Sequence, residues 1–299
     1  MTRLHANLLL LAAAVIWGSS FVVQHMSMEH IGPLAFTGSR FLLGTLVVLP
    51  LAVFNGCSLR REGRRLSALD WVGMVLTGVA LFCGAILQQI GIGLTTVTNA
   101  GFLTGLYVPL VPLIALLVLR TMPHPVVWPA GLGCLAGTYL LSGAATMSLA
   151  AGDVWVMVST VFWAIHVLLV GAMAVRTGAP IVVAVVQFMV AGLLATSGAV
   201  FTEATSLADV FAAWPAIAYT GVLSVGLAFT FQVVGQRFTT AADAAIILSS
   251  ETVFAAIGGA VFLGESLSAA GMVGCALILV CILTVQMVPV RRSVVEPAV

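Results

Sequence analysis

The chain has no lysine, and only 7% of its 299 residues carry charge of either sign. An ordinary soluble domain carries about 25% charged residues, so a water-soluble globule is excluded. Also missing are a G-x-x-x-x-G-K-[ST] phosphate loop, an H-E-x-x-H zinc motif and any Cys/His cluster at metal-binding spacing. These are the marks of nucleotide hydrolysis and metal catalysis, so no cofactor, metal or enzymatic activity is expected. The five cysteines form no C-x-x-C pair. Cys83, Cys134, Cys275 and Cys281 lie in apolar runs and Cys57 in a basic loop, which suits small core residues rather than a disulfide framework. A formal net charge of +1 gives no sign of nucleic-acid binding.

What is present is apolar: 61% hydrophobic residues and a mean hydropathy of +1.19. Ten apolar segments stand out, at 6–28, 33–54, 71–92, 95–118, 127–147, 153–175, 180–202, 215–236, 240–263 and 267–288. Each approaches the ~20 residues a helix needs to cross the hydrocarbon layer, and a helix satisfies its own backbone there. The first run, from Ala6 to about Gln24, is too long for the apolar core of a signal peptide. The expected fold class is an all-α integral membrane protein of ten transmembrane helices, with the lipid bilayer as its surroundings. With the N-terminus in the cytoplasm, the inner segments hold Arg3, Arg60, Arg61, Arg64, Arg65, Arg120, Arg176, Arg237, Arg291 and Arg292, and the outer loops hold no arginine. That asymmetry places both termini in the cytoplasm. The outer loops carry Glu29, Glu203, Asp209 and Glu265 instead.

The sequence also repeats itself. TTVTNAGFLTGLYVPLVP from Thr95 returns in altered form as TTAADAAIILSSETVFAA from Thr239, so that Thr95 falls on Thr239, Thr96 on Thr240 and Asn99 on Asp243. Trp71 answers Trp214, Gln89 answers Gln232, Trp17 answers Trp163, and Arg40-Phe41 answers Gln187-Phe188, all in one order at nearly one offset. Two halves follow, 1–150 and 151–290, with a cytoplasmic tail at 291–299. A five-span half followed by its copy must insert upside down, because five is odd. Inverted repeats of this kind place a substrate near the midplane between the halves and work by alternating access.

Trp17-Gly18-Ser19-Ser20-Phe21, Arg40-Phe41, Thr98-Asn99-Ala100-Gly101-Phe102-Leu103, Trp163-Ala164 and Gly264-Glu265 resemble the EamA family of the drug/metabolite transporter superfamily, along essentially the whole chain. The resemblance implies ten helices in two inverted repeats and export of small metabolites without ATP hydrolysis. Within the family the pattern is similar to bacterial exporters of aromatic amino acids, which implies the bacterial inner membrane. One departure is Glu251-Thr252-Val253, where the family's second repeat commonly has proline after the glutamate.

Counting ~1.5 Å per residue, Trp17, Trp163, Tyr107 and Glu251 all lie near the middle of their spans. The two indoles either wall a substrate cavity or fill the bundle core. His166 shares the helical face of Trp163; it is a buried imidazole bonded to a neighbouring helix, a contact for a substrate carboxylate, or a proton carrier. Glu251 is an intramembrane acid, and such groups are functional candidates; it either exchanges protons with the transport cycle or makes a structural hydrogen bond. Asn99 and Asp243 sit in the first turns of their helices, where an acid is favourable; an inner gate of Asp243 with Arg237 is the other reading. Arg40 lies about seven residues below the outer face, within snorkelling reach of water, as a tether or as an attraction for carboxylates. Gln88, Gln89, Gln187, Gln232 and Gln236 offer polar lining or interhelical bonds, with Gln89 and Gln232 near opposite mouths. Pro109 and Pro112 are expected to interrupt span four just after Tyr107 and make a hinge. Small residues at Gly133-Gly137 and Ala270-Gly274 suit close helix packing, within or between monomers. The combined expectation is a monomeric secondary exporter of amino acids. Trp17, Trp163, His166, Tyr107, Gln88, Gln89 and Asn99 bind substrate in this reading, and Glu251, Asp243, Arg40 and Pro109 serve coupling or gating. Drugs or other metabolites are the alternative cargo, and a lipid-modifying enzyme is a remote alternative of another class.

Overall fold

Each of the ten apolar segments contains helix in the computed structural model, which describes residues 1–61, 63–120, 122–141, 150–264 and 268–287. Glu265, Arg291, Arg292 and the expected tail lie outside the described residues. The helices are α1 Arg3–Ser27, α2 Pro33–Arg61, α3 Ala68–Ile92, α4 Val97–Thr104, α5 Tyr107–Leu119, α6 Val127–Leu141, α7 Ala151–Thr177 and α8 Pro180–Thr202. They continue with α9 Leu207–Ala212, α10 Trp214–Tyr219, a π-helical stretch Thr220–Phe229, α11 Thr230–Gln236, α12 Ala241–Leu248, α13 Glu251–Leu263 and α14 Ala269–Met287. No strand occurs among the described residues. Eight helical stretches there are long and apolar enough to cross a membrane, counting α4–α5, α10–α11 and α12–α13 as one each. The other two segments hold the shorter apolar α6 and α14, which adjoin residues outside the description.

Two local features differ from the sequence expectation. α2 runs on to Arg61, past the apolar limit at residue 54, its last turns exposing Cys57, Arg60 and Arg61 while Leu59 remains buried in the core. The connection after α8 holds the short helix α9, nucleated by a capping box in which Ser206 and Asp209 exchange hydrogen bonds with each other's backbone.

The repeated Thr-Thr motif has a local cause. Thr96 caps α4 by accepting from the Asn99 amide, and Thr240 caps α12 by accepting from the Asp243 amide, at 3.2 and 3.1 Å. Both helices then break at the same repeat position. α4 stops at Thr104 and α5 restarts at Tyr107, while α12 stops at Leu248 and α13 restarts at Glu251. Each break is a tight turn of i to i−3 bonds, such as Val108 N to Gly105 O and Val253 N to Ser250 O. Side chains supply further partners for the local carbonyls: Thr104 Oγ1 donates to Ala100 O, Ser249 Oγ to Ile246 O and Ser250 Oγ to Ile247 O. The expected proline hinge is therefore misplaced. The first break precedes Tyr107, the second contains no proline, and Pro109 lies in the first turn of α5, where a helix lacks an amide partner anyway.

The long pairings join the first half of the chain to the second. α3 lies along α7, α2 along α8, and α6 along α14, while α1 packs on α12–α13 and α7 on α4–α5. Gly18 shows what close approach demands: a Cβ there would sit 2.8 Å from Glu251 O and collide with Phe254. The small residues of α6 serve contacts within the chain, since a Cβ on Gly137 would sit 2.8 Å from Gly274 O of α14. Outward, side chains such as Leu46, Phe54, Phe201, Phe211 and Phe262 are exposed, the apolar coat that lipid solvates.

Candidate functional site

Halfway along α1, residues of both halves enclose a cavity of about 50 Å³. Trp17 and Trp163 form part of its wall, and Tyr107 and Glu251, the first residues after the two helix breaks, form another part. The aromatic wall is organised by Phe229, at the end of the π-helical stretch. Its ring centroid lies 4.6 Å from Trp17 and 6.1 Å from Trp163, nearly parallel to the latter at 17°. Phe41 and Phe188 pack behind it at 5.9 and 6.0 Å, within the range in which aromatic rings attract. Widened backbone hydrogen bonding in a π turn changes which carbonyls are free, and here Ser224 O accepts from Trp17 Nε1 at 3.2 Å. The Trp163 Nε1 is buried without a partner among the described residues.

Polar groups occupy the rest of the wall. Gln88 Nε2 donates to Thr104 Oγ1 at 2.7 Å. Gln232 faces the cavity with its Oε1 unpartnered among the described residues. Arg40 departs from the sequence expectation. It is 4% exposed and turns inward to the cavity rather than out to water. Its Nη1 donates to Gln24 Oε1 at 2.6 Å, and its guanidinium carbon lies 5.5 and 5.2 Å from the rings of Phe36 and Phe41. Those rings and the amide replace the surface water that snorkelling would have supplied. Its Nε has no partner among the described residues. Glu251 is 5% exposed, and its carboxyl has no hydrogen-bond or ion-pair partner among the described residues.

Five expected site residues lie elsewhere. His166 is fully buried behind Trp163, its Nε2 2.8 Å from Gln187 Oε1, and it meets Phe229 and Trp163 edge-on. That is the interhelical bond among the alternatives, and it keeps the imidazole off the cavity wall. Asn99 and Asp243 are helix-end residues. Asp243 pairs with Arg3, 3.3 Å away, not with Arg237 as in the alternative gate reading, because the N-terminal turn of α1 crosses the start of α12. Pro109 is part of α5 and does not line the cavity. Gln89 and Gln232 occupy different compartments. Gln232 is in the cavity, while Gln89 lines a separate vestibule of about 610 Å³ at the α1–α2 and α8–α9 connections and donates through Nε2 to Gln24 O at 3.3 Å. The vestibule also holds Glu203, whose carboxylate accepts from the Leu34 and Ala35 amides, and Asp209, whose carboxyl the Ser206 bonds hold below the ordinary carboxylate value.

Gln24 thus stands between the two compartments, and the sequence reading did not single it out. The signal was available: Trp17, Phe21 and Gln24 fall at helical spacing on one face of α1, and all three line the cavity. Phe229 precedes Gln232 by three residues in the same manner. No metal-binding cluster occurs among the described residues.

The fold and site define a multi-pass membrane protein built around an internal cavity shared by two halves. The EamA-like transporter family model matches the chain twice, at residues 4–143 and 150–287, and the chain belongs to that family of the drug/metabolite transporter superfamily. It is a transporter. It is 30% identical to an uncharacterised transporter of Archaeoglobus fulgidus over 285 residues, covering 95% of this chain and 87% of that one. It is 27% identical to the uncharacterised transporter YwfM of Bacillus subtilis over 300 residues, covering 98% and 97%. A solved crystal structure aligns with a TM-score of 0.73 over 93% of this chain and 95% of the other at 21% identity, which is a likeness of fold.

Proposed function

We propose that the protein is a secondary transporter that exports amino acids, apolar and aromatic ones included, by alternating access. In this reading ten transmembrane helices form two inverted five-helix halves, 1–150 and 151–290, in the bacterial inner membrane. Both termini are cytoplasmic, and the working unit is a monomer. The double family match, the matched helix breaks and the reciprocal packing of α1 on α12–α13 and of α7 on α4–α5 support the two-fold arrangement.

The observation that carries the cargo assignment is the composition of one buried cavity: an aromatic wall of Trp17, Trp163 and Phe229 beside amide, acidic and guanidinium groups. An apolar side chain suits the first surface and a polar head the second. At about 50 Å³ the cavity is below the ~150 Å³ that admits benzene. Its walls therefore move apart when substrate enters, and the breaks at 105–106 and 249–250 are where α4–α5 and α12–α13 bend.

The test is uptake and efflux of a labelled amino-acid panel in proteoliposomes, with and without a pH gradient. Saturable, selective amino-acid flux is the expected result, and the gradient arm separates proton-coupled export from exchange or facilitated diffusion. Folded, inserted protein that moves no amino acid overturns the assignment.

A further inference from the structure

Besides the Trp163 and Gln232 atoms already described, two ionisable groups in the cavity are left with unused bonding capacity. Arg40 spends one Nη1 bond on Gln24, its Nε has no partner, and the side chain is buried. Glu251 has no partner for either carboxyl oxygen and is equally buried. Both line the same cavity, yet they form no ion pair with each other. All of this holds among the described residues. A buried charge without a partner is costly, so a pair of opposite groups held apart in one chamber calls for an occupant.

Their spacing can be read from α1. The Arg40 head is held at Gln24, whereas Glu251 O faces Gly18. Six residues at ~1.5 Å each separate these levels by about 9 Å. What lies between these levels is a gap with the guanidinium on the Gln24 side and Glu251 on the Gly18 side. Around the gap lie Trp17, Phe229 and Tyr107.

We infer that Arg40 and Glu251 form a two-point clamp for a zwitterion, with Arg40 binding the substrate carboxylate and Glu251 binding its α-ammonium. This rests on the amino-acid reading above and adds an orientation and a selection rule. The carboxylate points toward the Gln24 side, the ammonium lies at the α12–α13 break, and the side chain lies along the aromatic wall. A planar guanidinium with spare N–H groups suits a carboxylate, and an acid with free lone pairs suits an ammonium. Compounds carrying only one of the two charges leave the other protein group buried and unpaired, and are rejected.

The experiment compares initial uptake of L-phenylalanine, N-acetyl-L-phenylalanine and phenethylamine into proteoliposomes holding wild-type protein, Arg40→Gln or Glu251→Gln. Wild type is expected to take up phenylalanine at least tenfold faster than either derivative. Arg40→Gln is expected to lower phenylalanine uptake at least tenfold while the phenethylamine-to-phenylalanine ratio rises. Glu251→Gln is expected to raise the N-acetyl-phenylalanine ratio instead. If both variants depress all three compounds by one factor, the residues are structural and the clamp is overturned, while amino-acid transport stands. If wild type takes up the derivatives as fast as phenylalanine, the clamp is overturned without any variant. If folded wild type moves no amino acid, the transport reading falls and the clamp with it.

Discussion

Phe229 shows how one side chain can serve the core and the site together. Its ring touches Trp17, Trp163, Phe41 and Phe188 and also forms cavity wall. Phe229→Ala removes that hub, and a buried Phe→Ala change costs about 3–5 kcal/mol. The expected outcome is a lowered unfolding midpoint in detergent together with loss of amino-acid flux. Phe229→Leu should keep most of the stability and show the transport defect alone. Sequence depth put Trp17, Trp163, Tyr107 and Glu251 at one level near the middle of their spans, because a regular helix fixes how far along its axis a residue lies. It did not place Arg40 or His166. Which way a long side chain turns, and whether a neighbouring glutamine captures an imidazole, depends on residues brought in from other helices: Gln24 for Arg40 and Gln187 for His166.

At the scale of elements, the two helix breaks decide where the half-helix starts point. In the sequence the proline pair near Tyr107 was the visible breaker, yet the matching break at Ser249–Ser250 forms without proline, through serine and threonine hydroxyls that bond local carbonyls. Pro109→Ala is accordingly expected to change stability by no more than about 0.5 kcal/mol, the range of substitutions away from special features, and to leave flux within about twofold. A transport loss comparable to that of Trp163→Ala would restore the proline as the hinge. The apolar runs were readable because they are local, apart from the end of α2 beyond residue 54. The π-helical stretch at Thr220–Phe229 was not, since it depends on packing against α1 and α2.

For the whole molecule, the repeat was legible because its Trp, Gln and Thr-Thr landmarks keep one order. The pairing of the halves, α3 on α7 and α2 on α8, is a tertiary fact that no single segment encodes. Cys57 offers a native test of the proposed orientation. It is the exposed cysteine of the five, near the C-terminal end of α2, which the proposed orientation puts inside, and Cys134 and Cys281 are buried. A membrane-impermeant maleimide should label Cys57 in inside-out vesicles and not in intact cells; the reverse pattern would put the termini outside.

The central claim is that amino acids pass through the cavity between the halves. Its most direct test is counterflow of labelled phenylalanine in proteoliposomes carrying wild type, Trp163→Ala from the cavity wall, or Trp214→Ala from the exposed surface. The account predicts saturable flux in wild type, a drop of about tenfold or more in Trp163→Ala, and near wild-type flux in Trp214→Ala, following the tenfold per 1.4 kcal/mol relation. Equal flux in all three, or none from folded wild type, would contradict it.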